Sequence, residues 1–255
     1  MPHDARLLEL VNTATQADLL QTLDAALQKS QGFTVATLNL DHLVKLGSDA
    51  AFLKAYSGHS HVVADGRPVV WLRRLAGQPV ELVPGSELVG PLMGLAARLN
   101  VPVAFLGTTD ATLAQAAERL ETAHPDLRVV ARIAPSFGFD PDGQEGAAVL
   151  DALAASEARL CLLALGAPKQ ELLAMRGAAR LPRCGFVSIG AGLDFVAGSQ
   201  HRAPVWMRRL ALEWLWRLLS DPRRLAGRYL RCALILPRLA WAAIRMRRRH
   251  GGAAG

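Results

Sequence analysis

Residues 160–171 read Leu-Cys-Leu-Leu-Ala-Leu-Gly-Ala-Pro-Lys-Gln-Glu, and they constrain the fold more than any other stretch. Six apolar residues in succession, closed by Gly166, suit a strand buried on both faces of a parallel sheet. Pro168, with its fixed φ and no N–H, suits the first turn of a following helix. Lys169, Gln170 and Glu171 then stand at a helix N-terminus just past a strand's carboxyl end. Ligands of open α/β sheets gather there, and free N–H groups with the helix dipole favour anions. An ordinary strand-to-helix turn with solvated polar residues would have the same pattern, so the rest of the chain must decide.

The remainder alternates in the same way. Helical spacing is expected over residues 18–29, 41–57, 69–76, 87–100, 111–123, 147–156 and from Lys169 onward. Short apolar or alternating runs over 34–40, 61–64, 101–106, 125–133, 160–165 and 186–189 are expected strands. Strands alternating with helices predict an α/β fold, a mostly parallel, Rossmann-like sheet with helices on both faces. Residues 1–200 form this body. From Arg202-Ala203-Pro204 the chain changes character, and a helical basic appendage is expected over 201–249, followed by a flexible tail at 250–255. Within the appendage, Asp221-Pro222 and Pro237 are expected to break the helices.

Charge divides along the same line. Residues 1–200 hold 16 Lys+Arg against 20 Asp+Glu, a net −4, whereas residues 201–255 hold 13 Arg and two acids, a net +11. A basic end on a mildly acidic body points to an anionic partner. Nucleic acid would need a basic surface with stacking aromatics; an anionic membrane surface would need a basic helix whose other face is apolar. Tyr229, Cys232, Ala233, Leu236, Leu239 and Ile244 supply more apolar area than phosphate binding requires, which favours the membrane over nucleic acid. Residues 229–249 are therefore expected on lipid, with Leu236, Leu239 and Trp241 immersed in it. Three scattered cysteines (Cys161, Cys184, Cys232), no signal-peptide pattern near Met1 and no run of 18 apolar residues predict a cytoplasmic protein, peripheral on the inner face of the cell membrane.

Polar residues cluster at the expected strand ends: Thr37 and Asn39; Asp65 and Gly66, followed by Arg67; Lys169, Gln170 and Glu171; and Asp194 within the stretch opened by Gly190 and Gly192. Such residues would line one crevice. Asp65 can serve as a general base beside a glycine that leaves room for substrate, or it can cap the helix that begins near Arg67. Asp140-Pro141-Asp142 has the form of a metal-holding acid pair, but lies in a turn composition. His59 and His61 share a strand face without a third ligand, so no metal is expected. Gly190-Ala191-Gly192 lacks the third glycine of a dinucleotide fingerprint.

Together these stretches resemble the WecG/TagA/CpsF family of bacterial glycosyltransferases (glycosyltransferase family 26). The resemblance rests on Thr37-Leu38-Asn39, Ala64-Asp65-Gly66-Arg67-Pro68, Gly85-Ser86-Glu87-Leu88, Phe105-Leu106-Gly107, Gly166-Ala167-Pro168-Lys169-Gln170-Glu171, Gly190-Ala191-Gly192-Leu193-Asp194, Arg202-Ala203-Pro204, Leu212-Glu213-Trp214, Arg217, Pro222-Arg223-Arg224 and Arg228, in family order over about residues 30–230. It implies an inverting enzyme that moves a sugar from a UDP-sugar to a polyprenyl-diphosphate-linked saccharide at the membrane, in surface polysaccharide or cell-wall polymer synthesis, without a required metal or other cofactor, and leaves a homo-oligomer open. It also implies that Asp65, Thr37 and Gln170 are catalytic, Asp65 as the base. Nucleotide contacts are expected from Asn39, Gly66, Arg67, Gly166, Pro168, Lys169, Glu171, Gly190, Gly192, Asp194, Arg202, Arg217, Arg224 and Arg228. Where the family often has an Arg just before Gly85, this chain has Leu82 and Val83. A non-catalytic nucleotide-binding protein whose basic tail engages nucleic acid or anionic lipid is the alternative.

Overall fold

A computed structural model describes residues 3–200, 207, 213–220 and 222–251. Its centre is a six-stranded sheet: β1 (Phe33–Leu38), β2 (His61–Ala64), β3 (Pro102–Gly107), β4 (Arg128–Ile133), β5 (Leu160–Ala164) and β6 (Gly185–Ser188). Their order is β2-β1-β6-β5-β3-β4, and every pairing is parallel. All residues of β1, β5 and β6 are buried, as the unbroken apolar run at 160–165 predicts for a strand covered on both faces. β4, at the edge, alternates between exposed and half-buried side chains.

Helices cover both faces, and the two-residue strand period sorts the side chains between them. Val35, Val63, Phe105, Leu162 and Val187 meet α2 (Gln16–Gln28), α6 (Gly85–Arg98), α7 (Asp110–Ala123) and α10 (Gly192–Ala197). Ala36, Leu38, Val62 and Ala64 face the other way, onto α1 (His3–Glu9), α3 (Leu40–Leu46), α4 (Ala50–Ser57) and α5 (Arg67–Leu75). Farther along that side, Leu106, Leu163 and Phe186 meet α8 (Gln144–Ala155) and α9 (Lys169–Arg180). The chain therefore leaves β1, β2 and β5 toward one face and β3 and β6 toward the other. Neighbouring strands whose exits diverge leave a crevice at their carboxyl ends, here along β1, β6, β5 and β3.

Three departures from the sequence expectation bear on the packing of the core. The helix expected over 41–57 is two helices, because Asp49 accepts the backbone N–H of Phe52 and starts α4 anew after Gly47 and Ser48. The seven-residue α1 went unanticipated, being too short to show a period, although Leu7 and Leu8 are fully buried. The third is the C-terminal end. After α11 (Glu213–Ser220), a single helix, α12 (Pro222–Gly251), runs through Pro237 without a break. Pro237 removes the bond to the Ala233 carbonyl, and both residues lie on the exposed side, where water can take that carbonyl.

α12 is also not a strip laid wholly on lipid. Leu225, Cys232, Leu239 and Met246 recur every seven residues, two helical turns, and all four are buried; with Ala243 they form a stripe against α1, α3 and α5. Leu239 has no exposed surface and packs in the cluster that holds Leu43, Leu46 and Leu72. Its expected immersion in lipid is thus corrected: it belongs to the core of the protein. The division drawn at residue 200 falls among residues mostly outside the described ones. Among the described residues no helix is long and apolar enough to cross a membrane.

A consequence is that removing residues 229–249 opens the core instead of detaching a separable tail. Leu239→Ala should lower the unfolding free energy by about 2–5 kcal/mol, as loss of a fully buried leucine does. Trp241→Ala, at a residue 57% exposed, should change it by about 0.5 kcal/mol or less. Urea unfolding of both variants checks this.

Candidate functional site

The parallel registers bring the strand-end residues together. Leu38 pairs with Ala64, so Asn39 and Asp65 are neighbours just past the ladder, and the Asp65 N–H extends it by donating to the Leu38 carbonyl at 2.7 Å. On the other side Val35 pairs with Val187, which brings Thr37 close to Ser188; its hydroxyl donates to the Ser188 carbonyl at 3.5 Å. Asn39 caps α3, its Oδ1 accepting the His42 N–H at 3.0 Å. The side chain of Asn39 is thereby committed to its helix.

Asp65 plays no such part. The capping position of α5 is Gly66, with no side-chain cap, and Arg67 and Pro68 open the helix. The N-cap position thus falls to Gly66 and not to Asp65, whose half-buried carboxylate stands at the carboxyl end of β2. Gly66 has φ +108°, which only glycine adopts without strain, and this lets the chain turn directly from β2 into α5.

The β5–α9 turn is held at three points. Gly166 takes φ +73°, Lys45 of α3 donates to the Ala167 carbonyl at 3.0 Å, and Pro168 stands at the N-cap of α9, one position before the first turn expected for it. Lys169 is half-buried at the first position of α9. Gln170, only 2% exposed, accepts the Gly190 N–H on Oε1 at 3.2 Å and donates through Nε2 to Glu171 Oε1 at 2.8 Å. Three of the expected ligand contacts change. Gly190 has its N–H occupied by Gln170, and Glu171 has no exposed surface with which to meet a nucleotide. Gly192 is buried, and a side chain there would press on Ile189 and Val89, so it serves packing.

The far end of the crevice lies over β3, beside the edge strand β4. Asp194, in the first turn of α10, accepts the Thr108 hydroxyl at 2.8 Å, and its backbone carbonyl accepts the Ser199 hydroxyl at 3.1 Å. Gly107 before it takes φ +126°, and a side chain there would lie 2.3 Å from the Ala164 carbonyl oxygen, so β3 and β5 can approach only with glycine at this position. After β4, Phe137 is fully exposed on a turn fixed by Glu145, which accepts both the backbone N–H and the hydroxyl of Ser136. Lys169 also faces Glu145 and helps hold its carboxyl below the usual range, after the two bonds from Ser136. This exposed aromatic gave no sequence signal, because a phenylalanine in a Pro/Gly-rich stretch reads as loop.

Of the arginines expected at the nucleotide, Arg202 lies outside the described residues, and for Arg217 and Arg224 only helical backbone is described. Arg228 pairs with Asp41 at 3.2 Å, and Asp41 with Lys45 at 3.0 Å, so α12 is tied through α3 to the β5–α9 turn. The Asp140–Asp142 pair behaves as a turn: Asp140 accepts the Asp142 N–H, and Arg176 bonds the Pro141 carbonyl between them. His59 bonds the Ala55 carbonyl and His61 the Thr13 hydroxyl, so the two rings do not converge. Among the described residues no three His, Cys, Asp or Glu groups form a metal-sized cluster.

Burial shifts several protons in and around α3 and α4 and at the start of α9. It pulls His42 down to about 3, helped by the Lys45 charge, and His59 down to about 4. Burial pushes the Tyr56 phenol well up, as do the charges of Glu171 and Asp65; His42 Nδ1 and the Tyr56 hydroxyl share a hydrogen bond at 3.0 Å. Burial also pushes Glu171 up to about 7 against the bond from Gln170.

The family model described as "Glycosyl transferase WecG/TagA/CpsF family" matches residues 6–251. An N-acetylglucosaminyldiphosphoundecaprenol N-acetyl-beta-D-mannosaminyltransferase of Bacillus spizizenii (strain ATCC 23059 / NRRL B-14472 / W23) is 28% identical over 199 residues, spanning 78% of this chain and 75% of its own.

The buried groups have opposite effects on stability. His42 and His59 titrate below the ordinary 6.5, so their contribution is complete above about pH 6.5 and is lost as the pH falls toward 4 and 3. Glu171 titrates above the ordinary 4.5, so its contribution is complete below 4.5 and is lost as the pH rises through 7. Glu171→Gln should therefore gain stability relative to the unsubstituted protein between pH 5 and pH 8, by up to about 1.4 kcal/mol per pH unit inside the window. Urea unfolding at both pH values tests it; parallel pH curves for the two proteins would contradict the assignment.

Proposed function

Because the chain belongs to the WecG/TagA/CpsF family of glycosyl transferases, we propose that it moves a sugar from a UDP-sugar to a saccharide carried on polyprenyl diphosphate, at the cytoplasmic face of the cell membrane. The observation that carries the site assignment is the position of Asp65: a carboxylate at the carboxyl end of β2, one residue before the Gly66 N-cap, beside Asn39 and close to Thr37. The name of the Bacillus spizizenii relative includes a lipid-diphosphate-linked N-acetylglucosamine and an N-acetylmannosaminyl group; the acceptor class is carried over from it. The donor sugar is left among N-acetylmannosamine, its uronic acid, glucose and galactose.

In this reading the crevice is a ruler. Strands spaced about 4.8 Å apart set β2 and β4 roughly 24 Å apart, room for a nucleotide sugar and the attacking hydroxyl. The sugar lies over β2 and β1, the diphosphate at the α9 N-terminus over β5 and β6, and the uridine over β3 and β4 near Asp194 and Phe137. Asp65 takes the proton as the acceptor hydroxyl attacks the anomeric carbon. The carbon–oxygen bond to the diphosphate breaks on the opposite face, and UDP leaves with the electron pair. Charge developing on the diphosphate meets Lys169, the second amide hydrogen of Gln170 and the helix dipole, with arginines of the 201–228 stretch and no required metal.

The exposed side of α12 supports a membrane location. Leu230, Leu234 and Trp241 stand opposite the buried stripe and are 62%, 71% and 57% exposed, and the Arg245 guanidinium stacks on the Trp241 ring at 3.4 Å. A basic helix with one apolar face on the protein and a second toward solvent suits a lipid surface, where each arginine contributes about 1 kcal/mol.

Two outcomes test the reading. Asp65→Asn should retain UDP binding while turnover falls on the order of a hundredfold or more; near-normal turnover would remove Asp65 from the mechanism, and EDTA should leave the unsubstituted enzyme active. Leu234→Ser with Trp241→Ser should abolish flotation with anionic liposomes while the melting temperature holds; tight, steeply salt-dependent RNA binding without flotation would favour the non-catalytic alternative.

A further inference from the structure

Gln170 is held in one orientation by two partners of opposite kind. Its Oε1 faces a donor, the Gly190 N–H at 3.2 Å, and its Nε2 faces an acceptor, Glu171 Oε1 at 2.8 Å. Turning the carboxamide over would set the amide hydrogens against the Gly190 N–H and its oxygen against the Glu171 oxygen, losing both bonds. The orientation leaves one Nε2 hydrogen unused by these two partners. It also joins the two turns that line the centre of the crevice, β5–α9 and β6–α10.

Glu171 is an unusual residue for this task. It has no exposed surface, and its Oε2 has no hydrogen-bond partner in the described structure. Burying a carboxyl group with one oxygen unpaired is unfavourable. An apolar side chain of similar length would fill the same space without that cost, but it would give Gln170 nothing to bond. The Oε1 acceptor works whether or not the group is protonated, since a carboxylic acid protonated on Oε2 still presents its carbonyl oxygen.

We infer that Glu171 is a positioning residue for sugar transfer: it touches no substrate, and it acts by fixing the Gln170 carboxamide, and through it the Gly190 turn, in the geometry that receives the departing diphosphate. This rests on the role proposed above for Gln170. A donor held in advance at the site of developing charge strengthens the transition state more than the bound ground state. Loss of the lock should therefore appear in kcat rather than in the KM for the donor.

The test is a double-mutant cycle. Glu171→Met keeps the side chain's length and removes the acceptor, with Glu171→Leu as a second apolar replacement should Met fold poorly; melting curves establish folding for each. Glu171→Met should lower kcat tenfold or more with the donor KM within about threefold. Gln170→Ala should lower kcat at least as far, and the double variant should be no worse than Gln170→Ala alone. Glu171→Gln, which restores an acceptor oxygen, should recover kcat to within about threefold. Losses that multiply in the double variant, full kcat in a folded Glu171→Met, or a Glu171→Gln as impaired as Glu171→Met would each overturn the inference. Full kcat in Gln170→Ala would instead overturn the proposed role of Gln170, and the inference with it.

Discussion

The register of β1 between β2 and β6 is the constraint on which the rest depends. A one-residue slip of this strand would exchange Val35 and Thr37 with Ala36 and Leu38 between the two faces of the sheet and empty both clusters they complete. The same register sets Asn39 beside Asp65 and Thr37 close to Ser188. Hydrophobic sorting that stabilises the sheet thus also positions the polar residues at its carboxyl end. Glycines permit the closest approaches there. Gly107 lets β3 meet β5, and Gly85, whose side chain would fall 2.9 Å from Ile189, lets α6 cross the end of β6.

A second dependence runs through charge. α3 starts at the end of β1 with Asn39 as its cap, and two turns later Lys45 bonds Ala167 while pairing with Asp41, which also meets Arg228. The C-terminal helix is therefore connected to the β5–α9 turn by an ion-paired chain as well as by the apolar stripe of Leu225, Cys232, Leu239 and Met246. A helix that is both core and outer surface gives the basic end of the chain a fixed relation to the crevice, which a flexible tail would not.

Much of this was legible in the sequence. Buried parallel strands announce themselves as unbroken apolar runs, and Gly66, Gly166 and Gly190 mark strand ends where the chain must turn sharply. The strand order and the neighbours of each loop were not legible, because parallel pairing joins segments far apart in sequence through side-chain fit that no local period records. Pro237 misled for a local reason: a proline breaks a helix where the freed carbonyl is buried, and here it is exposed. Leu239 misled for a related one. The Arg-rich segment 238–249 looks amphipathic whichever medium its apolar side meets, and only the structure shows Leu43 and Leu46 meeting one side of it. Glu171 was legible as part of a strand-end cluster, but its complete burial follows from the packing of α9 on β1 and β6.

If one carboxylate, Asp65, directs a single displacement at the sugar, with charge on the leaving diphosphate met by the α9 turn, the anomeric centre must invert. The most direct measurement is the anomeric configuration of the product. The unsubstituted enzyme would be given an α-linked UDP-sugar and a short-chain lipid-diphosphate saccharide in the presence of EDTA, and the new linkage assigned by NMR. A β-linked product is the predicted result. An α-linked product would require a second nucleophile that this crevice is not assigned, and would contradict the account.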